Sequence, residues 1–169
     1  MKKIYLSGLL FFLVLQGMAQ VLLSNSIDDA NPSAYNPFTL GQIVTSNITA
    51  SGIGRGSGIS PNAGSNRYNA ANWSTGGMDM NDYFEFTLTP AAGYEIDFTS
   101  FVYSAQRSAT GPSNYAFRSS LDGFVSNIGS PGQTGGNISL TAAAYQNISG
   151  PITFRYYAWG ASGSTGTYS

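Results

Sequence analysis

Between Tyr83 and Thr89 the chain reads Tyr-Phe-Glu-Phe-Thr-Leu-Thr, with an apolar side chain at every second position. This period of two predicts a strand with Phe84, Phe86 and Leu88 on one face and Tyr83, Glu85 and Thr87 on the other. Ile152 to Trp159 repeats the pattern: Ile152, Phe154, Tyr156 and Ala158 alternate with Thr153, Arg155, Tyr157 and Trp159. From Tyr94 the apolar set runs Tyr94, Ile96, Phe98, then Phe101, Tyr103, Ala105, one residue out of phase. A slip of one residue would turn a core face outward, so a bulge or corner is expected near Thr99-Ser100. Gly111-Pro112 predicts a turn into a returning strand with Tyr115, Phe117 and Ser119 on its inner face, which makes residues 94–120 a long hairpin. The elements add up to an all-β fold, an antiparallel two-sheet sandwich of jelly-roll type. Its expected core is Phe84, Phe86, Leu88, Ile96, Phe98, Tyr115, Phe117, Ile152, Phe154 and Tyr156.

The rest of the chain is read around this frame. Lys2 and Lys3 precede an apolar run from Ile4 to Leu15, and Gly17-Met18-Ala19 offers small residues for cleavage. Residues 1–19 are therefore a signal peptide, too short and wrongly flanked for a membrane span, and residues 20–169 are one β-sandwich domain. Short strands are expected at Val21–Leu23, Ile43–Ala50 and Ile138–Leu140, with a turn-rich segment at 28–41. Thr141 is placed to cap a helical turn through Tyr145. The glycine-rich segment 51–66 lacks the Lys-Ser/Thr and the helix of a phosphate-binding loop, and reads as a long surface loop. Thr167-Tyr168-Ser169 reads as a strand just beginning.

Composition narrows the function. Charged residues are 9% of the 169, aromatic residues are 14%, and there are 21 Gly, no Cys and no His. A core rich in rings under a surface of Ser, Thr, Asn and Gly suits an extracellular module. Without Cys there are no disulfides or thiolate metal sites, and without His the commonest general base is missing. Once residues 1–19 are removed, five Arg face eight acids, a net charge of −3, and no Lys remains. Nucleic acid is not an expected partner. No Ser has a His to activate it, and the strand carboxylates are better explained by ion pairs, so no enzymatic activity is expected.

Three groups of residues carry candidate chemistry. Arg67, Tyr68, Asn69, Asn72 and Trp73, with Trp159, set rings among planar polar groups, as a glycan site needs; a loop tucked into the core has the same composition. Asp79, Asn81 and Asp82 offer oxygen ligands for calcium, the one cofactor considered, although the EF-hand pattern is incomplete and polar residues leading into a strand look alike. Ser120-Leu121-Asp122-Gly123-Phe124 is a turn in which Asp122 accepts backbone N–H groups, Gly123 takes a positive φ and the ring folds back. Glu85, Arg118 and Arg155 alternate with core residues, so at least one Arg is expected to pair with a carboxylate on the outer face.

The Tyr-Phe-x-Phe strand, the Arg-Ser-x-x-Gly-Pro turn at 107–112, the Ser-x-Asp-Gly-Phe turn and the Phe-Arg-x-Tyr strand together resemble a module of large secreted bacterial proteins. These include proteins with PEP-CTERM anchors and those exported by type IX secretion. The resemblance runs from about Val21 to the end and implies a galactose-binding-like jelly roll, non-catalytic, that binds polysaccharide or cell-surface glycan in adhesion. The alternative is a structural spacer accessory to a secreted hydrolase in the same longer protein. It further implies a last strand beyond Ser169, so the chain reads as truncated, with downstream domains as partners.

The leader pattern generates one direct expectation: the extracellular form begins at Gln20. N-terminal sequencing of secreted protein that returns Met1 contradicts it.

Overall fold

The structure is a computed structural model that describes residues 20–169; the signal-peptide reading of residues 1–19 lies outside the described residues. The chain is all-β, with antiparallel sheets joined by turns and three short 3-10 turns among the described residues. None of the described helices is long and apolar enough to cross a membrane. The strands are β1 (Leu23–Asn25), β2 (Gln42–Val44), β3 (Ile48–Ala50), β4 (Gly54–Arg55), β5 (Ser60–Pro61), β6 (Ala70–Ala71), β7 (Tyr83–Pro90), β8 (Ser100–Ser104), β9 (Asn114–Ser119), β10 (Gly135–Ser139) and β11 (Ile152–Trp159).

The two clearest alternating segments lie side by side. β7 and β11 pair so that Phe84 meets Tyr156, Phe86 meets Phe154 and Leu88 meets Ile152 on the inner face. The outer face sets Tyr83 opposite Tyr157, Glu85 opposite Arg155 and Thr87 opposite Thr153. β9 adds on the far side of β11, and β3 and β4 share the other edge of β7, which completes a five-stranded sheet. β8 and β10 form the facing layer. Every residue of the expected core belongs to the core cluster, with Phe84, Phe86 and Tyr115 only partly buried at its margin.

The expected slip is present at Thr99. Ile96 and Phe98 point inward from a segment that bonds to Ile148 and Tyr145, whereas residues 100–104 pair with β10. The change of partner at Thr99, whose carbonyl accepts the Leu140 N–H, lets both halves face the core.

Three local expectations are corrected. The long hairpin does not form: β8 pairs with β10 and β9 with β11, so Gly111-Pro112 carries the chain from one layer to the other. Periodicity reports which face is buried but not which strand lies alongside. Segment 51–66 is not a free loop, because Gly56 N–H bonds to Tyr83 O and Gly58 N–H to Asn81 O, extending β4 along β7. Its alternate glycines leave room for β7: a Cβ on Gly56 would lie 2.8 Å from the Tyr83 ring. The turn at Ala143–Tyr145 has no side-chain cap; Thr141 bonds to Ser139, and the Gln146 amide ties the turn to Phe98 O and Leu140 O. Tyr168, in the segment that reads as a strand just beginning, is bridged to Ala70 on one side and to Arg107 on the other. Its chain passes so close to residues 110–111 that a Cβ on Gly111 or Gly166 would overlap backbone, which only glycine avoids.

Rings fill the space between the layers. Phe101 of β8 stacks on Phe117 at 4.7 Å, Phe117 on Phe154 at 5.3 Å, and Trp73 meets Phe84 edge-on at 5.2 Å. The hydroxyls of Tyr103, Tyr156 and Tyr168 converge on the carbonyl of Gly132, at 3.2, 2.8 and 3.1 Å. Burial, followed by the neighbouring phenols, pushes the Tyr156 hydroxyl far above its ordinary pKa; burial does the same to Tyr168, less strongly. Both therefore stay protonated donors, and the loop around Gly132 is tied to the core by bonds to neutral groups.

Trp73 is 1% exposed and edge-packed on both Phe84 and Tyr168. Trp73→Ala should cost about 3–5 kcal/mol in chemical denaturation, the range for truncating a buried large ring. A change within about 0.5 kcal/mol would mean the ring is not part of the core.

Candidate functional site

The residues expected to form a glycan site do not share a surface. Tyr68 and Asn69 are 3% and 6% exposed, and with Trp73 they are core, so no ligand can stack on either loop ring. The Trp73 indole N–H donates to Ala70 O, 2.9 Å, and the Tyr68 hydroxyl sits among Tyr35 O, Asn36 Oδ1 and Arg55 Nη1. Asn69 is held through its N–H by Ser33 Oγ and through its side chain by Asn62. Arg67 and Asn72 stay exposed, the latter in a left-handed turn at φ 64° with its amide on Ser60. Trp159 is half-buried in the outward row of β11, on the opposite face of the sheet from Trp73. The physical reason for the correction is length. Residues 59–73 turn back under β7, and burying their rings gains more than exposing them.

The acidic turn is likewise committed to its own backbone. Asp79 Oδ1 accepts the Asn81 N–H at 2.8 Å, and the buried Asp82 accepts the Ser74 N–H through Oδ2 at 2.7 Å. Among the described residues no cluster of three or more His, Cys, Asp or Glu could hold a metal. These carboxylates shape the entry to β7 through their own backbone bonds. Ser120, Asp122 and Gly123 build a turn. Asp122 accepts the N–H groups of Val125 and Ser126, Gly123 has φ 71°, and Ser120 Oγ accepts the Thr153 N–H. Bonds from Ser126, side chain and then backbone, hold the exposed Asp122 carboxyl below its ordinary pKa.

The outer face of the five-stranded sheet is the most organised polar surface. Arg155 Nε donates to Glu85 Oε2 at 2.9 Å, the pair expected from the alternation. The guanidinium is clamped between the rings of Tyr83 and Phe124, 4.0 and 4.1 Å from their centroids. Phe124 reaches it because the turn at Gly123 is followed by a second positive φ, 65°, at Phe124 itself. Desolvation lowers the Arg155 pKa, but Tyr157, Glu85 and Tyr83 more than offset it and hold the group above its ordinary value. Arg118 bonds to Asn127 Oδ1 and Phe124 O and lies over Tyr157, whose ring is wholly covered although it stands in the outward row.

Beside Glu85 the surface dips into a cleft of about 340 Å³, bounded by Asn36, Pro37, Ser51, Arg55 and Thr87, with Gly54 between Asn36 and Glu85. None of these flanking residues was singled out from sequence. The usable signal was the alternation of glycines in Gly54-Arg55-Gly56-Ser57-Gly58, which removes side chains from one face of an edge strand. A second, smaller recess of about 130 Å³ is lined by Arg67, Asn69, Arg107 and Thr167, among others.

Asp82 yields a pH-dependent expectation. Desolvation is the largest influence on its carboxyl and raises its pKa above 3.8, with Asp79 adding to the rise and the Ser74 N–H opposing it. A folded pKa above the unfolded one contributes stability below pH 3.8 and loses it as pH rises through the folded value. Asp82→Asn, whose side-chain oxygen can still accept the Ser74 N–H, should therefore raise the melting temperature slightly at pH 7. The difference should vanish below pH 3.8. A lower melting temperature at pH 7 would mean the charge itself is needed, as it would be for a bound cation.

No protein-family model matches the chain, and neither a curated protein nor a solved structure matches it.

Proposed function

We propose that residues 20–169 serve as a non-catalytic structural module of a secreted protein, a stiff jelly-roll-like spacer that sets the distance between other parts of the molecule. One observation carries this reading: Tyr68, Asn69 and Trp73, the centre of the group that sequence offered for ligand contact, are consumed inside the fold, where they hold loop segments to one another and to the core. The leader pattern and the scarcity of charge support an extracellular setting, as does the resemblance to modules of large secreted bacterial proteins. A glycosidase needs a pair of carboxylates across a substrate site. Glu85, the carboxylate at the cleft, is bonded to Arg155, which favours a structural role for it.

A spacer has to bear tension as one unit. Pulled from its ends, the protein should unfold in one cooperative event that releases roughly 50 nm of contour, from about 150 residues at 3.3–3.6 Å each. Stepwise unravelling at low force, with the β1–β2 segment or the loop at Gly132 peeling away first, would overturn the spacer reading.

A further inference from the structure

We propose that the open edge of β8 accepts an added strand from the N-terminal arm of another polypeptide, an extended and uncharged segment lying antiparallel to it. This goes beyond the spacer role and does not depend on it.

Backbone pairing fixes which edge is open. Ala105 N–H donates to Thr134 O and Leu140 N–H to Thr99 O, both in the register that sets Ser104 opposite Gly135. The odd-numbered residues from Thr99 to Ala105 therefore turn their backbone groups to β10, and in an antiparallel ladder the even-numbered ones turn theirs away. The N–H and C=O groups of Ser100, Val102 and Ser104 face the other edge, where no strand lies among the described residues. Further along, that same edge is in use: Gln106 N–H and C=O exchange bonds with Ser169, and Ser108 N–H donates to Thr167 O. Residues 167–169 thus run along the edge, and the open stretch begins directly beyond Ser169.

Side chains define the chemistry of the occupant. Ser100, Val102 and Ser104 are exposed, Val102 by 71%, whereas Phe101 and Tyr103 point inward and stay half-buried. Phe86, 5.3 Å from the Phe101 ring, is half-buried as well. An added strand sets apolar side chains beside Phe101 and Tyr103, and small polar or β-branched ones beside Ser100, Val102 and Ser104. β8 carries none of the lysines, prolines or other charges that commonly protect an edge, so a charged segment would find no counter-charge on it.

Register selects the source. A second copy pairing through its own β8 would be centred on Val102, and its Phe98 would arrive opposite Gln106, the place that Ser169 already holds. A strand antiparallel to β8 has its N-terminal residue opposite Ser104, next to Ser169, so it has to begin there. A free N-terminal arm meets that condition.

The test adds the peptide Thr-Val-Thr-Val-Thr amide, free at its N-terminus, to the isotope-labelled protein at millimolar concentration and follows amide resonances. The signals of Ser100, Val102 and Ser104 should move saturably. In the added strand the threonine N–H groups face β8 and the valine N–H groups face away. Methylating the central threonine nitrogen should therefore weaken binding roughly tenfold, the scale of one lost hydrogen bond, and methylating the first valine nitrogen should leave it unchanged. The proposal is overturned if the peptide moves none of the three signals, or if the two methylated peptides bind alike. It is equally overturned if these amides are already slow to exchange in the protein alone, whether because a dimer fills the edge, read by light scattering, or because a chain continued past Ser169 does so.

Discussion

Contact between rings of opposite layers is what the rest of this fold depends on. With no cysteine and 9% charged residues, neither disulfides nor ion-pair networks can hold the sheets together. The contacts form a continuous path, from Phe38 through Tyr68, Phe84 and Trp73 to Tyr168, then through Tyr156 and Tyr103 to Phe101, Phe117 and Phe154. Each pair adds about 0.5–1.5 kcal/mol beyond the area it buries. The path draws in rings from loops as well as strands, because the five-stranded sheet is wider than the two-stranded layer that faces it. Trp73, Tyr68 and Tyr168 cover the inner face that β8 and β10 leave open, and this is why they are unavailable as a ligand surface.

The same demand shapes the outer face. Once Phe84, Phe86, Phe154 and Tyr156 are committed inward, period two forces Tyr83, Glu85, Arg155 and Tyr157 outward. Exposed ion pairs contribute only about 0–1 kcal/mol, yet Arg155 is more than an exposed partner, since two rings clamp its guanidinium. Arg118 and Arg155 lie directly opposite on neighbouring strands, an arrangement of like charges that is unfavourable on its own. The structure relieves it by turning Arg155 to Glu85 and Arg118 to Asn127 and Phe124 O. The turn at Asp122-Gly123 thus has two effects: it reverses the chain, and it delivers Phe124 over the sheet.

Legibility in the sequence followed the range of the interaction. The strands at Tyr83 and Ile152, their inward faces, the slip at Thr99 and the Glu85–Arg155 pair all depend on alternation within a few residues, and each was readable. The partner of β8 was not, because Gly111-Pro112 is equally compatible with a tight hairpin and with a crossing between layers. The candidate site failed for a related reason. Trp73 and Asn69 carry the same local composition whether the loop faces water or folds under β7, and only the uncovered width of the opposite layer decides. The cleft was invisible because its makers are a glycine, a proline and short polar residues, none of which announces chemistry alone.

One residue joins the interior to the cleft at the surface. Tyr68 was read as a stacking surface, and its ring instead packs on Phe84 and Phe38 in the interior. Its hydroxyl meets Asn36 Oδ1 and Arg55 Nη1, atoms of two residues that border the cleft. Desolvation raises the pKa of this phenol, while the charge and hydrogen bond of Arg55 pull it back. The hydroxyl stays neutral and bound to both walls. Because the ring is held in the path of contacts between the layers, it ties Asn36 and Arg55 to the core. A rigid interior and a pre-formed surface cleft are then consequences of the same buried side chain.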